Sequence, residues 1–379
     1  MAGIYVHIPF CKQACTYCNF HFSTSLQHKS ALLAALLREI TLQANYLDGA
    51  EIESIYLGGG TPSLLSAAEL NSIFEAINLR HRVTKDAEIT LEANPDDLSQ
   101  EYLAELGQKT PINRLSIGIQ SFVQADLTFM NRAHHAEQAR QAIEWAQSAG
   151  FRNLTVDLIY GSPMLTDAQW SENLATVFGY DIPHISCYCL TVEPKTALDY
   201  AIKKGTAPNV NDEKAAQHME YLMHAMREAG YEQYEISNFA QPGHYARHNS
   251  NYWLGVPYLG LGPSAHSFDG KNRQWNVANN AKYIAELEKN NLPATLEILT
   301  PKDRYNEYVM TSLRTSWGCQ LQRIEAMGAD FSAYFMAAVL PFVADGTVLQ
   351  TRNKYALTDK GRLLADHISA ALFWVETDA

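Results

Sequence analysis

Between Ile4 and Ala229, a short apolar run is followed six times by a stretch with helical spacing, and this alternation restricts the fold more than any other feature. The apolar runs are Ile4–Ile8, Ser54–Leu57, Glu88–Ala93, Arg114–Ile119, Asn153–Tyr160 and His184–Val192. The helical stretches are Lys29–Tyr46, Ala67–Leu79, Ser99–Gly107, Ala125–Met130 with Ala136–Ser148, Asp167–Val177, and Ala197–Lys204 with Asp212–Ala229. In the first of them Leu32, Leu33, Leu36, Leu37 and Ile40 recur on one helical face. Ahead of the second, Ser66 and Glu69 stand at capping-box spacing. Strands joined through helices run parallel. Six such units in series predict an α/β fold, a parallel sheet curled into a partial (β/α)6 TIM-like barrel.

The pattern breaks between Glu232 and Arg273, where Gly, Pro, aromatic and His residues dominate and no period holds. This reads as a functional excursion that closes the open side of the barrel. A last helix over Ala278–Asn290 completes a barrel region spanning residues 1–292, and Pro293–Pro301 reads as a linker. Residues 300–379 read as a small α+β domain of three helices, a hairpin (Thr347–Leu349 with Lys354–Leu357) and a final helix. That order suggests a winged-helix-like module. Such modules often bind DNA, but this one has no basic run, and the net charge of −12 argues against nucleic acid as the main partner. It reads instead as a lid or a partner surface.

The strand Ile4–Ile8 runs directly into a loop carrying Cys11, Cys15 and Cys18. Three thiolates this close can reach one soft metal centre, and they leave a tetrahedral zinc or a four-iron cluster one ligand short. A vacant iron corner invites a chelating second ligand. Two plainer readings remain open: a zinc knuckle closed by a distant fourth ligand, and free thiols. The other three of the six cysteines are Cys187 and Cys189, alternating on a strand, and the isolated Cys319. That usage suits a reducing compartment. Met1 leads almost at once into a strand, and no run approaches the roughly 20 apolar residues of a membrane span. The expectation is a cytoplasmic protein without a membrane span.

In parallel barrels chemistry collects where strands end. The second strand here ends in Gly58-Gly59-Gly60-Thr61-Pro62 and the fourth in Gln120-Ser121, while Glu92 and Asp157 interrupt the apolar third and fifth. A buried carboxylate costs several kcal/mol unless it is paired or bound to a ligand. Two of them at one barrel mouth suggest a ligand with amines and hydroxyls. The triple glycine reads equally well as a tight turn or as an open backbone edge for a ligand amino group.

The spacing CxxxCxxC after a strand, followed by GGGTP, resembles the radical S-adenosylmethionine (SAM) superfamily. More specifically, IYVHIPFC, YLGGGTP, LEANPDD, LSIGIQSF, NRAHH, DLIYGSP and YLGLGPSAHSF resemble its oxygen-independent coproporphyrinogen III oxidase branch, from Ile4 to about Phe268, and the C-terminal domain also looks like that branch's. The resemblance implies a [4Fe–4S] cluster on Cys11, Cys15 and Cys18, with SAM on the fourth iron. It implies SAM contacts from Tyr5, Gly59, Gly60, Thr61, Glu92, Gln120, Arg132 and Asp157. On its own, Arg132 reads as well as a solvated helix-end charge. Oxidases of this branch carry a further cysteine where this chain has Phe20, and an N-terminal extension before the first strand.

The CxYCxF pattern, with His248-Asn249-Ser250-Asn251-Tyr252-Trp253 fitting an HNxxYW motif, is similar instead to the HemW branch of heme chaperones. This implies heme as cargo, held by His248, Tyr252 and Trp253, since imidazole ligates iron and aromatic rings pack on a macrocycle. The motif sits in a Gly/Pro-rich stretch that does not read as a regular helix. His266 and His244 are the alternative ligands there. His7 is expected to serve the cluster loop, and Cys187 and Cys189 to pack in the sixth strand. The implied function is heme binding and transfer to an acceptor hemoprotein, respiratory and membrane-associated. The alternative is radical SAM decarboxylation of coproporphyrinogen III.

Overall fold

The computed structural model describes residues 1–375. All six expected βα units form. The strands β1 (Ala2–Ile8), β2 (Ile52–Gly59), β3 (Val83–Ala93), β4 (Arg114–Gln120), β5 (Asn153–Tyr160) and β6 (His184–Cys189) lie side by side in chain order, each parallel to the next. Between and after them run the helices α1 (Lys29–Leu42), α2 (Ala67–Arg80), α3 (Gln100–Lys109), α4 (Gln124–Phe129), α5 (Ala136–Ser148), α6 (Asp167–Gly179), α7 (Ala197–Lys203) and α8 (Asp212–Glu228). Strand alternation divides the two faces. Along β1, Ala2, Ile4, Val6 and Ile8 are buried in the main apolar core, which sends Gly3, Tyr5 and His7 to the other face. The capping box of α2 forms as expected: the Glu69 amide donates to Ser66 Oγ at 3.3 Å, and the Ser66 amide donates to the Glu69 carboxylate at 2.8 Å.

The segment after Glu232 is more regular than its sequence suggests. It forms β7 (Glu232–Gln233), β8 (Asn238–Ala240), α9 (Arg247–Leu254), β9 (Tyr258–Leu261), β10 (His266–Phe268), β11 (Asn272–Asn276), α10 (Asn280–Glu288) and β12 (Ala294–Ile298). β8 pairs antiparallel with β6, and β9 pairs parallel with β1, so the segment covers both edges of the six-stranded sheet. Its strands are too short to show a period. The HNSNYW run lies on helix α9, not in irregular backbone. The glycine that made it look like a loop is the helix stop, Gly255 in the left-handed cap at φ 70°. The expected linker Pro293–Pro301 is also corrected, because most of it is the edge strand β12, laddered to β11. Leu296 and Ile298 on that strand are exposed, so no burial pattern marks it.

The remaining chain forms α11 (Pro301–Leu313), β13 (Cys319–Gln320), α12 (Leu321–Glu325), α13 (Ala329–Ala344), β14 (Val348–Thr351), β15 (Lys354–Leu357), α14 (Asp359–Arg362) and α15 (Ala365–Ala371). The expected hairpin is β14–β15, extended by β13 into a three-stranded sheet. These elements close on their own apolar cluster, with Tyr305, Val309, Phe335, Val339 and Ile368 at its centre. The last four residues of the expected 300–379 domain lie outside the described residues. Arg273 on β11 pairs with Glu307 on α11 at 2.8 Å, and the Ser316 amide donates to the Tyr234 carbonyl at 2.9 Å, so this unit is bonded to the sheet region.

Candidate functional site

The cysteine loop has no regular structure, and bonds to three neighbouring connections hold it. Its base is closed by the Cys11 amide donating to the Ser23 carbonyl at 3.0 Å and the Ser23 amide to the Pro9 carbonyl at 2.8 Å. The Thr16 hydroxyl donates to the Phe129 carbonyl at 3.2 Å, the Asn131 side-chain amide to the Ala14 carbonyl at 2.7 Å, and the Leu198 amide to the Thr16 carbonyl at 2.8 Å. Lys12 pairs with Asp96 at 3.0 Å and also with Asp97. These partners follow β3, β4 and β6, so the loop is fastened over the C-terminal ends of the strands.

Cys11, Cys15 and Cys18 are free and half-buried. Burial pushes the Cys11 thiol up to about 11, against a lowering hydrogen bond from Thr61, and neighbouring Cys18 and Cys15 push it further. Burial also raises Cys18. Such thiols stay protonated until a cation neutralises them, as a metal centre would. Among the described residues no three His, Cys, Asp or Glu side chains converge on a single ion. A four-iron cluster does not require that, because each thiolate takes a different iron. Arg132 is no solvated surface charge. Its guanidinium lies 3.2 Å from Cys15 Sγ and donates to Asn94 Oδ1 at 2.6 Å and to the Gly118 carbonyl at 2.8 Å. Its buried Nε has no protein partner among the described residues, a donor available to a ligand beside the loop.

The triple glycine is packed against the root of this loop. Gly59 has φ +102°, and a Cβ there would collide with the His7 ring; at Gly60 a Cβ would sit 2.6 Å from the Phe10 carbonyl oxygen. The tight-turn requirement is therefore real. The same turn also serves polar groups. The Gly59 amide donates to Glu92 at 3.1 Å, the Tyr56 hydroxyl donates to Glu92 at 2.7 Å, and Thr61 Oγ1 accepts from Asn94 at 3.0 Å. Burial pushes Glu92 up to about 7, and the Asp157 charge adds to this. Burial pushes Asp157 up to about 6 against the Ser186 hydrogen bond, while the Ser116 hydroxyl lies 3.4 Å from both its oxygens. Two carboxyls raised by burial in one site, with the Asp157 charge also raising Glu92, favour a cation between them. Gln120 sits at φ +65° where the β4–β5 register shifts. A Cβ on Gly118 would lie 2.9 Å from the Gln120 amide nitrogen, so that glycine makes room for it. Tyr5 Oη is 3.1 Å from His7 Nδ1. The structure thus gathers Tyr5, Gly59, Gly60, Thr61, Glu92, Gln120, Arg132 and Asp157 at the mouth that carries the three cysteines.

Beside this mouth lies a cavity of about 780 Å³. Phe20 and His21 of the cysteine loop form one wall, Tyr252, Trp253 and Tyr258 a second, and His266, Phe268 and Arg273 a third. Arg304, Tyr308 and Arg323 close it from the C-terminal unit. Phe20 is 68% exposed, an apolar ring presented at the rim. Arg323 lies over the Tyr308 ring at 4.8 Å. Arg304 and Arg323 form no ion pair among the described residues. The aromatic run on α9 is legible in the sequence, whereas these arginines belong to a distant stretch without a motif.

His248 does not line the cavity, and neither does His244. His248 is buried behind Tyr252, with Nδ1 2.9 Å from Ser54 Oγ and Nε2 2.9 Å from Tyr252 Oη. Burial, with the Arg114 charge behind it, pushes its pKa down to about 3, so the ring is neutral. The Arg247 and His248 amides each donate to Glu88 at 3.0 Å, which fixes the start of α9 inside the barrel. Glu88 stands 3.9 Å from the fully buried Arg114, which also donates to Thr90 at 3.3 Å and to Thr155. Of the three expected heme contacts, Tyr252 and Trp253 therefore reach the cavity and His248 supports them from behind. Cys187 packs in the core as expected, and Cys189 is half-buried. Among the described residues no helix is long and apolar enough to cross a membrane.

Two family models match the chain: the radical SAM superfamily over residues 5–177 and the HemN C-terminal domain over residues 299–364. The chain is 33% identical over 375 residues to the heme chaperone HemW of Mycobacterium tuberculosis, covering 98% of this chain and 94% of that one. It is 32% identical over 376 residues to the heme chaperone HemW of Bacillus subtilis, covering 98% and 99%. Among solved structures, coproporphyrinogen III oxidase (HemN) of Escherichia coli, a radical SAM enzyme, matches with a TM-score of 0.85 at 25% identity, covering 98% of this chain and 90% of that one.

Proposed function

Because the chain belongs to the HemW family of heme chaperones within the radical SAM superfamily, we propose that it binds heme in the cavity beside the cysteine loop and passes it to an acceptor hemoprotein. The observation that carries this reading is the cavity's chemistry: aromatic walls from Phe20, Trp253, Tyr258 and Phe268, with Arg304 and Arg323 at the edge. Heme is a flat apolar disc with two carboxylates. Rings pack on its faces and guanidinium groups pair with its carboxylates. A volume of about 780 Å³ is ample for a ligand of that class.

Cys11, Cys15 and Cys18 would hold a [4Fe–4S] cluster, and the neighbouring residues fit SAM on it. Together these groups supply one-electron chemistry when bound. Glu92 and Asp157 would take the ammonium and hydroxyl groups, Arg132 would hold the Cys15 side of the loop in place, and Tyr5 would shield the mouth from the cavity. All six cysteines are free thiols, which agrees with work in a reducing cytoplasm. A respiratory, membrane-associated hemoprotein is the proposed acceptor. The second reading, oxidative decarboxylation of coproporphyrinogen III, draws on the full-length likeness to HemN. Against it stands Phe20, an apolar ring where the oxidases are expected to place a cysteine.

Titrating anaerobically reconstituted protein with hemin is expected to give a Soret shift that saturates near one heme per chain, and an apo-hemoprotein added afterwards draws the heme off. Changing Arg304 and Arg323 together to alanine weakens binding about two- to thirtyfold, because two exposed ion pairs contribute roughly 0.2–1 kcal/mol each. Absence of saturable binding by the unaltered protein would reject the proposal.

A further inference from the structure

We propose that His266, and not the histidine of the HNSNYW run, ligates the heme iron, while His248 holds Tyr252 in place behind the macrocycle; this rests on heme being the cargo of this cavity. Strand pairing provides the argument. β10 and β11 are antiparallel with His266 opposite Trp275 and Phe268 opposite Arg273. Residues two apart on a strand share a face, so imidazole, phenyl, indole and guanidinium form one two-by-two patch on this ribbon. Three of its members, His266, Phe268 and Arg273, line the cavity. The spacing along the strand, about 7 Å, is on the scale of the distance from the centre of a porphyrin to its edge. One face therefore offers an iron ligand and a flat apolar wall together, beside a guanidinium that Glu307 already holds at 2.8 Å.

Of the other histidines at or beside the cavity, His248 and His7 have both ring nitrogens engaged and His21 has one. His248 has both ring nitrogens in hydrogen bonds, to Ser54 and Tyr252, and would have to break one and displace Tyr252 to reach the cavity. His7 is bonded through both nitrogens, to Tyr5 Oη and to the His21 carbonyl. His21 Nε2 is 2.7 Å from Asn280 Oδ1. The His266 ring is exposed and stacks on Trp275 at 6.0 Å and 29°, and its nitrogens have no hydrogen-bond partner among the described residues. Its backbone is held firmly. A Cβ on Gly260 would collide with the His266 carbonyl oxygen, and the Gly260 amide donates to Ser267 Oγ at 2.9 Å. Burial, and then the Arg273 charge, lower the His266 pKa, which favours the neutral ring that a metal needs.

The test is a ferric hemin titration read by absorption and electron paramagnetic resonance on the full-length reconstituted protein, comparing wild type, His266→Ala and His248→Gln. Glutamine is chosen because its amide can bond both Ser54 and Tyr252, and a thermal melt checks that each variant is folded. His266→Ala should lose the histidine-ligated spectrum and about tenfold or more in affinity, and added imidazole should restore the spectrum. His248→Gln should bind more weakly with an unchanged ligand spectrum. The assignment is overturned if His248→Gln loses the ligated spectrum while His266→Ala keeps it, or if both keep it. Wild type without saturable heme binding would overturn the cargo reading itself, a distinguishable failure.

Discussion

Replacing Cys11, Cys15 or Cys18 with alanine is expected to leave a chain that takes up almost no iron or sulfide on anaerobic reconstitution, against about four irons per chain for the wild type. The loss should be one of ligation and not of folding. The loop is held through Thr16, Asn131, Lys12 and the Cys11–Ser23 closure, none of which uses a thiol. Far-ultraviolet circular dichroism and the melting temperature of the apoprotein should therefore change little. Burial raises Cys11 and Cys18, so the loop gains little from ionised sulfur until a metal arrives. A wild-type preparation holding zinc without iron or sulfide would contradict the cluster assignment.

The second large effect belongs to Glu92. Its carboxyl is pushed from 4.5 to about 7, chiefly by burial, so the folded protein holds this proton more tightly than the unfolded chain does. The sign follows. The contribution is fully present below about pH 4.5 and declines as pH rises toward about 7, a loss on the order of 3 kcal/mol by pH 8. Asp157, raised to about 6, acts in the same direction. Glu92→Gln should remove the Glu92 part. The amide can accept from Gly59 and donate to the Tyr56 hydroxyl, so the apo variant should be more stable than wild type at pH 8 and nearly equal at pH 5. Its SAM affinity should move the other way, falling about thirtyfold or more, because a bound ammonium loses a buried counter-charge. Denaturant unfolding at the two pH values and equilibrium SAM binding check both. Lower stability at pH 8 together with unchanged SAM affinity would refute this role.

The sequence made the barrel legible because its parallel strands are buried runs of β-branched and leucine side chains, and helix signals such as Ser66 with Glu69 stand beside them. The mouth was legible for the same reason: Glu92 and Asp157 are conspicuous inside apolar strands. What was hidden shared other physical causes. β9 has four residues and β10 three, too few to show alternation, yet β9 pairs with β1 and places His266 near the cysteine loop. The glycine that marks the end of α9 disguised a helix as a loop. β12 is held by ladder bonds without burial. Arg304 and Arg323 meet the cavity only through tertiary packing of α11 and α12, and no local spacing reports that. His248 was the opposite case. The motif drew attention to it, and only the fold shows that Ser54 and Tyr252 occupy its ring.

The most direct test of the central claim puts one anaerobically reconstituted sample through two assays: hemin titration, and turnover of coproporphyrinogen III with SAM and a reductant. Saturable heme binding and no decarboxylated product are the expected result. Conversion of coproporphyrinogen III to protoporphyrinogen, without saturable heme binding, would contradict it.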